Sequence, residues 1–203
     1  MSTPEEPALA TPPALRLTEP WRTERLVLRL FADGDLDAVH DMQSRPDVAR
    51  YLYWSPRSRS EAARSLQEKI TRRSIEAEGD VLTLAVTRSA GGPVIGDLMV
   101  RYASAAHQQA EIGYVFHPDA QGQGLATEAM RLVVDRAFAG LGLHRVYGRI
   151  DARNTASARV LERLGMRREA QLVENEWVKG EWTDEVVYGV LADEWARARL
   201  GGG

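Results

Sequence analysis

The segment HPDAQGQGLATEAM, residues 117–130, joins two glycines to the start of a helical pattern. The first turn of a helix has unpaired backbone N–H groups, and the helix dipole makes that end positive. Glycines at this point let a phosphate approach the backbone closely. Residues 121–127 could therefore hold a pyrophosphate, although a glycine-rich helix start without a ligand explains the glycine spacing equally well.

Two other phosphate-binding motifs do not fit this segment. A P-loop ends in Gly-Lys-Ser/Thr, and the sequence contains no such tripeptide. A dinucleotide fingerprint needs a third glycine where Thr127 stands, and it needs a βαβ unit that the predicted elements do not form.

Composition excludes several classes of protein. The 203 residues suit one domain, and the net charge of -3 gives no electrostatic reason to expect a nucleic-acid partner. No apolar run approaches the ~20 residues of a membrane span, and the N-terminus lacks a signal-peptide pattern, so we expect a cytoplasmic protein. The sequence has no cysteine, which excludes disulfides and an acyl-cysteine intermediate. The four histidines are too far apart to indicate a metal pair, so no metal is expected.

Hydrophobic periodicity predicts elements in the order β-α-α-β-β-β-α-β-α-β-β. We expect one α+β domain over residues 21–195, with a mostly antiparallel, mixed sheet of six to seven strands flanked by helices. Residues 1–20, rich in Pro, Ala and Thr, are predicted to form a disordered tail, and residues 196–203 a flexible one.

The predicted elements around the glycines have clear boundaries. Strands are predicted over residues 109–116 and 144–150, helices over 58–79, 124–142 and 154–165, and a hairpin over 166–191. Ser58 and Glu61 have the spacing of a capping box, and Asn154 is an expected N-cap. Gly140 can end the helix that starts at the glycines.

At the glycines, Gln121-x-x-Gly124-x-Ala126 resembles the Q/R-x-x-G-x-G/A signature of the GNAT superfamily of N-acetyltransferases. The preceding EIGYVFHPDA is similar to the family's fourth strand, and DARNTASARVLERLGM is similar to its fifth strand and following helix. The opening TERLVLRLF and the ending KGEWTDEVVYGVL resemble the RimJ/RimL-type branch of ribosomal-protein N-terminal acetyltransferases. These segments occur in the family's order over residues 22–195, so the resemblance is much more specific than the glycines alone.

The resemblance implies a GNAT fold whose fourth and fifth strands splay apart and leave a slot for acetyl-CoA. Backbone groups of the fourth strand would bind the pantetheine arm, amides of residues 122–127 would bind the pyrophosphate, and Asn154 would contact the arm beside the next helix. The implied cofactor-binding residues are Tyr114, Val115, Phe116, Gln121, Gly122, Gln123, Gly124, Leu125, Ala126, Thr127, Asn154 and Ser157.

Acetyl transfer to an amine sets further requirements. The attacking amine must be neutral, which is easier for an α-amine with a pKa of about 7.7–8 than for a lysine with a pKa of about 10.4. The thiolate needs a proton or a hydrogen bond, and the developing oxyanion needs a donor, for which we expect the backbone N–H of Val115 or Phe116. Since the chain has no cysteine, direct attack in a ternary complex is the expected mechanism.

The residues for proton transfer come from the resemblance. Many family members have an acidic tyrosine at the position of Leu161 and some have a basic glutamate at the position of Arg149, so both roles are vacant here. The RimL-like pattern instead implies Ser157 as the hydrogen-bond partner of the thiol, with a plain helix-surface serine as the alternative. It implies Glu176 as general base, directly or through water. Glu111 is the second choice, and a structural charge at a strand end explains it equally well.

The family builds its acceptor channel from the first two helices and the closing hairpin, which here carry RYLYWSP and NEWVKGEW. The expected substrate contacts are Tyr51, Trp54, Trp177 and Asp184. Core and lid packing explains each of the aromatic residues slightly better, and Asp184 could hold the hairpin instead. Arg57 and Arg59 are predicted to lie on solvated helix surface.

The expected function is acetyl-CoA-dependent acetylation of a primary amine, either a protein N-terminal α-amine or a small molecule. Two alternatives stay open: a catalytically inactive CoA-binding regulatory or scaffold protein, and the same fold with another acyl donor such as succinyl-CoA. An exposed strand edge in this fold can pair with a second copy, so a homodimer is one expected assembly.

Overall fold

The computed structural model describes residues 14–200, so the predicted N-terminal tail up to residue 13 and residues 201–203 lie outside the described residues. The strands are β1 (Leu15–Arg16), β2 (Trp21–Arg22), β3 (Val27–Arg29), β4 (Ser74–Ile75), β5 (Val81–Thr87), β6 (Gly96–Ser104), β7 (Gln109–Phe116), β8 (Arg145–Asp151), β9 (Arg167–Val178) and β10 (Glu181–Leu191). The helices are α1 (Leu36–Gln43), α2 (Pro46–Ala49), α3 (Arg59–Thr71), α4 (Leu125–Leu141), α5 (Thr155–Arg163) and α6 (Ala192–Leu200).

Eight strands form one mixed sheet in the order β2-β3-β5-β6-β7-β8-β10-β9, and β1 pairs separately with β4. Neighbours in the large sheet are antiparallel except β7 and β8, which are parallel. The predicted α+β fold with a mostly antiparallel sheet is therefore confirmed. The sheet has more strands than expected because the two-residue strand β2 extends its edge and is too short to show an alternating pattern.

The central strands β7 and β8 separate after a short paired stretch. Their ladder joins residues 109–111 to residues 145–147, whereas β7 continues to Phe116 and β8 to Asp151. Each strand keeps an antiparallel partner on its other side, β6 for β7 and β10 for β8. The expected gap between the central strands lies at their C-terminal ends.

Helix α4 supplies much of the core that fixes this gap. Its apolar residues recur at helical spacing, and Leu125, Ala129, Val133 and Ala137 are buried. These side chains pack in one cluster with Leu98, Val100 and Ile112 of the sheet, among others. Because the first turn of α4 is anchored in this core, the glycine loop before it is held at the edge of the gap.

Helix α3 forms the other flank and begins as predicted. Ser58 Oγ accepts from the Glu61 backbone N–H at 3.4 Å, and the Glu61 carboxylate accepts from the Ser58 backbone N–H at 2.8 Å, which is a capping box. The helix ends at Thr71 rather than near residue 79. The reason is that Ser74 and Ile75 leave the helix to pair with β1.

The ends of the described chain differ from the prediction. Leu15 is buried, pairs with Ile75 and approaches Gly140 so closely that a Cβ there would lie 2.9 Å from its Cδ1. Gly140 therefore makes room for Leu15 instead of ending α4, which stops at the left-handed Gly142. Residues 196–200 belong to α6, whose Trp195 donates to Asp135 at 2.7 Å, so the structure continues past the expected domain end.

Candidate active site

Two cavities open at the gap between β7 and β8. The loop cavity, of about 440 Å³, is lined by the glycine loop, the end of β7 and α5. The charged cavity, of about 330 Å³, is lined by α3, the segment before α3 and facing residues of β6, β7 and β8. Both cavities share Tyr51, Leu52, Tyr114, Val115, Asn154 and Ser157. Molecules bound in the two cavities can therefore touch at this shared wall.

The glycine loop gives the loop cavity an open helix end. Gly122 and Gly124 have φ angles of 72° and 76°, a left-handed region that strains residues with side chains. Gly124 is the N-cap of α4, so the residues with unpaired first-turn N–H groups line the cavity. Thr127 lines this cavity and a neighbouring one, and its buried hydroxyl has no hydrogen-bond partner among residues 14–200. Such a group suits an acceptor that comes from a ligand, such as a phosphate oxygen.

Side chains tie this loop to its surroundings. Gln121 donates from Nε2 to the carbonyl oxygen of Phe116 at 3.0 Å and so joins the loop to the end of β7. Gln123 donates to the carbonyl of Asp119 at 2.7 Å and accepts from Arg88 at 2.6 Å. Gln123 does not line the loop cavity, whereas every other implied cofactor-binding residue does.

Hydrogen bonds connect Tyr114, Asn154 and Ser157 at the shared wall. The Asn154 side chain caps α5 by accepting from the Ser157 backbone N–H at 3.1 Å. The Tyr114 hydroxyl donates to the Ser157 carbonyl oxygen at 2.8 Å. Burial raises the pKa of the Tyr114 phenol, so it stays protonated and keeps this bond. The bonds hold the first turn of α5 against β7 and place Ser157 between the cavities.

A network of ionisable side chains lies on the wall of the charged cavity. Glu111, 8% exposed, accepts from Arg149 Nε at 3.0 Å and from Arg101 Nε at 3.1 Å, one at each carboxylate oxygen. Arg149 also donates to Glu185 at 3.4 Å, and Glu185 accepts from the Tyr53 hydroxyl at 3.0 Å. Burial, helped by the Glu185 carboxylate, raises the pKa of Tyr53. Arg149, at the position where the resemblance implies a glutamate in some family members, thus joins two buried carboxylates that the sequence did not connect.

Glu176 and Asp184 lie to one side of this network. Both line a smaller pocket next to Glu185, and neither lines the charged cavity. The Asp184 carboxylate accepts from Gln171 Nε2 at 2.8 Å and from the Glu174 backbone N–H at 2.9 Å. These bonds span a bulge between β9 and β10, so Asp184 holds the hairpin.

The aromatic residues expected around the substrate separate into two groups. Tyr51 and Trp54 line the charged cavity. Trp177 is 60% exposed and packs edge-on against Trp182 at 5.3 Å between ring centroids. Because strand side chains alternate between faces, Trp177 points away from the side that carries its half-buried neighbour Glu176, and it does not line the charged cavity.

Arg57 does not lie on solvated surface as predicted. It is half-buried, lines the charged cavity, and donates from Nη1 to Gln43 Oε1 at 3.0 Å and to Ser65 Oγ at 2.5 Å. Its guanidinium carbon lies 4.7 Å from the centroid of the Trp54 ring. By contrast, Arg59 is exposed, as expected. The available signal was position, since Arg57 immediately precedes the helix cap, where side chains often fold back onto the helix.

Comparison with known proteins agrees with this geometry. A family model described as Acetyltransferase (GNAT) domain matches residues 25–167. The uncharacterized N-acetyltransferase YnaD of Bacillus subtilis (strain 168) is 30% identical over 174 residues, which cover 85% of this chain and 97% of that protein. A GNAT-family acetyltransferase from Bacillus anthracis superposes with a TM-score of 0.77 at 27% identity, covering 87% of this chain and 100% of that one. Mycobacterium smegmatis RimJ in complex with CoA-disulfide shares the fold, with a TM-score of 0.70 at 22% identity and coverage of 87% and 89%.

Fold, site and comparisons point the same way. The sheet has the splayed central strands that the resemblance implied, and the glycine loop lies at the gap between them. None of the helices described within residues 14–200 is long and apolar enough to cross a membrane. The family model covers well over half of the chain. The protein is an acetyltransferase and belongs to the GNAT family, as its sequence motifs indicated.

Proposed function

We propose that this protein transfers the acetyl group of acetyl-CoA to a primary amine by direct attack within a ternary complex. The observation that carries the proposal is the shared wall of the loop cavity and the charged cavity at Tyr114, Asn154 and Ser157. Direct transfer needs both reactants held in contact and in a fixed orientation. Two cavities of different chemistry that meet at one wall meet this need.

The residues of the loop cavity fit coenzyme A. The open positive end of α4, the left-handed glycines and the unpaired Thr127 hydroxyl suit a pyrophosphate. Arg159 and Arg163 also line the cavity and favour an anionic ligand. Beyond Glu111 the edge of β7 has no partner on β8, which leaves backbone groups for an amide-containing arm. The CoA compound bound to RimJ of M. smegmatis supports the same assignment.

Acetyl-CoA supplies the thioester carbonyl that the amine attacks. On the protein side, the backbone N–H of Phe116 stabilises the negative charge that develops on the carbonyl oxygen, because the N–H of Val115 points towards β6 in the antiparallel ladder. The Ser157 hydroxyl donates a hydrogen bond to the departing sulfur. Tyr114 is a positioning residue, because its hydroxyl holds the Ser157 carbonyl and with it the start of α5.

In this proposal the carboxylates near the charged cavity act as the general base that removes the amine proton. Glu111 lines the cavity directly, but both of its oxygens already accept hydrogen bonds from arginines. Glu176 lies in the neighbouring small pocket, so it acts through water. An amine that is already partly neutral at pH 7 needs little help from either group.

A CoA-release assay tests the proposal. The amine panel contains peptides with different N-termini, lysine-blocked controls, polyamines, aminoglycosides and free amino acids, each with acetyl-CoA and with succinyl-CoA. Turnover with acetyl-CoA supports the proposal, and preferential turnover with succinyl-CoA would show that succinyl-CoA is the acyl donor instead. Tight CoA binding by calorimetry without turnover of any amine contradicts catalysis and favours a CoA-binding regulatory protein. The cytoplasmic location and the homodimer stay predictions, and size-exclusion chromatography tests the second.

A further inference from the structure

Within the described part of the chain, the charged cavity contains one cation without an ion-pair partner. Its charged lining residues are Arg57, Glu68, Lys69, Arg72, Asp97, Glu111, Arg149 and Asp151. Ion pairs join Glu68 to Arg72 at 3.6 Å, Asp97 to Lys69 at 2.5 Å, Glu111 to Arg149 at 3.0 Å and Asp151 to Arg153 at 2.7 Å. Among the residues that the structure describes, Arg57 alone of this lining set has no carboxylate within ion-pair distance. Arg57 is therefore the cation of this lining set whose guanidinium no described carboxylate contacts directly.

The guanidinium of Arg57 is held in place by neutral groups. One nitrogen, Nη1, donates to both Gln43 and Ser65, and the plane of the group lies near the Trp54 ring. Nε and Nη2 donate to no partner within residues 14–200. These two nitrogens form one edge of the guanidinium, and this edge matches the two oxygens of a carboxylate.

The arrangement selects for a particular ligand charge. A half-buried guanidinium without a direct ionic partner gains from contact with an anionic ligand. The free edge of a single guanidinium matches one carboxylate of the ligand. A polyamine has no anionic group that this edge could bind.

We infer that the amine acceptor carries a carboxylate, which Arg57 binds while the amine reaches the shared wall at Ser157. Both residues line the same cavity, so one small molecule can contact both. The inference rests on the proposed function and specifies its substrate class as small amino acids, in place of polyamines or neutral amines.

The test uses the full chain and compares acceptors that differ in one group. A length series of unbranched amino acids with a terminal amine and a terminal carboxylate is matched with alkylamines and diamines of the same lengths. Each is assayed by CoA release at saturating acetyl-CoA with wild type, Arg57→Gln, Arg57→Lys and the control Arg64→Gln. Arg64 is exposed on α3 and does not line the charged cavity. Arg64→Gln therefore changes the net charge of the protein by the same amount as Arg57→Gln without changing the cavity.

We expect wild type to prefer the amino acid over the matched alkylamine in kcat/KM by about tenfold or more, at one best length. Arg57→Gln should remove this preference, and Arg64→Gln should keep it in full. Arg57→Lys should keep part of it, because lysine has the positive charge but lacks the two-nitrogen edge of the guanidinium. Calorimetry with CoA shows that each variant is folded. Equal rates for amino acid and alkylamine in wild type, or a preference for diamines, overturn the inference and leave the proposed acetyl transfer standing.

A binding measurement separates the inference from the proposed function. Alkanoates of the same lengths, which lack the amine, are titrated by calorimetry into the CoA-loaded protein. If no amine in the series is turned over but alkanoates bind wild type about tenfold tighter than Arg57→Gln, the carboxylate site stands and the amine acceptor assignment fails. If alkanoates bind neither protein, or bind both equally, the carboxylate site is wrong.

Discussion

The substitution Thr127→Val separates the stability of the empty protein from its affinity for CoA. Thr127 Oγ1 is buried without a hydrogen-bond partner among the described residues, and it lies in the first turn of α4 on the loop cavity. Mutational data put the cost of an unpaired buried polar group at about 1–3 kcal/mol. Valine has the same shape and a similar helix propensity, so the replacement removes this cost and little else. We expect the free energy of unfolding to rise by about 1 kcal/mol and Tm to rise by about 2–4 °C.

Binding of CoA should change in the opposite direction. A hydrogen bond from the hydroxyl to a phosphate oxygen contributes about 1.5–3 kcal/mol, because the acceptor is charged. Loss of this hydrogen bond should raise the Kd for CoA by about tenfold or more. Since a ligand stabilises the folded state in proportion to the logarithm of its affinity, saturating CoA should raise the Tm of wild type more than that of the variant. Without CoA the variant should therefore have the higher Tm, and saturating CoA should raise its Tm by less than that of wild type.

Thermal unfolding with and without CoA, together with calorimetry, measures both effects. The control is Thr71→Val, because Thr71 is exposed at the end of α3 and its hydroxyl donates to the Glu68 carbonyl at 2.8 Å. That change should leave the Kd for CoA unaltered. If Thr127→Val lowers Tm and leaves CoA affinity at the wild-type value, the hydroxyl is not a phosphate ligand, and the reasoning about the loop cavity is refuted.

The remaining predictions concern the loop, the shared wall and the hairpin. Gly124→Glu should abolish CoA binding in calorimetry while circular dichroism stays native, because a carboxylate would stand at the expected phosphate position; retained affinity in the folded variant would show that the site is misplaced. Ser157→Ala should lower turnover and leave the Kd for CoA nearly unchanged, and wild-type turnover would remove Ser157 from the mechanism. The backbone N–H of Glu174, helped by Gln171, lowers the pKa of Asp184. Its stabilisation of the hairpin is therefore complete above the unfolded pKa of about 3.9 and is lost as pH falls through the lower folded value. Tryptophan fluorescence should show this acid step in wild type and not in Asp184→Asn.

Elements with a strong local signal could be predicted from the sequence. The segment QAEIGYVF became β7 over the predicted residues, and α5 begins after the predicted cap Asn154. Besides α6, sequence reasoning missed β1, β2 and β4, which have two residues each and show no periodicity. Their pairing depends on distant residues, as Leu15 with Ile75 shows. Gly140 was misjudged for the same reason, since its contact with Leu15 is invisible along the chain.

The two halves of the candidate site differed in how far the sequence could predict them. The loop cavity depends on residues 114–127 and on the start of α5, where backbone conformation and helix ends follow from nearby residues. The residues of the loop could therefore be predicted from the sequence, whereas the facing wall at Tyr51 and Leu52 could not. The charged cavity depends on Arg57, Glu111, Arg149 and Glu185, which lie far apart in sequence.

Only the tertiary structure decided which of these charged side chains form ion pairs and which one forms none with a described residue. Coulombic energy depends on the distance between charges and on their burial, and neither quantity can be read from spacing along the chain. The sequence thus indicated the family of the protein and predicted a loop that binds phosphate. The packing of α3 and of the hairpin β9–β10 around the splayed strands decided that Glu111 accepts from two arginines and that Glu176 lies aside. It also decided that Arg57 lines the cavity without an ion-pair partner among residues 14–200.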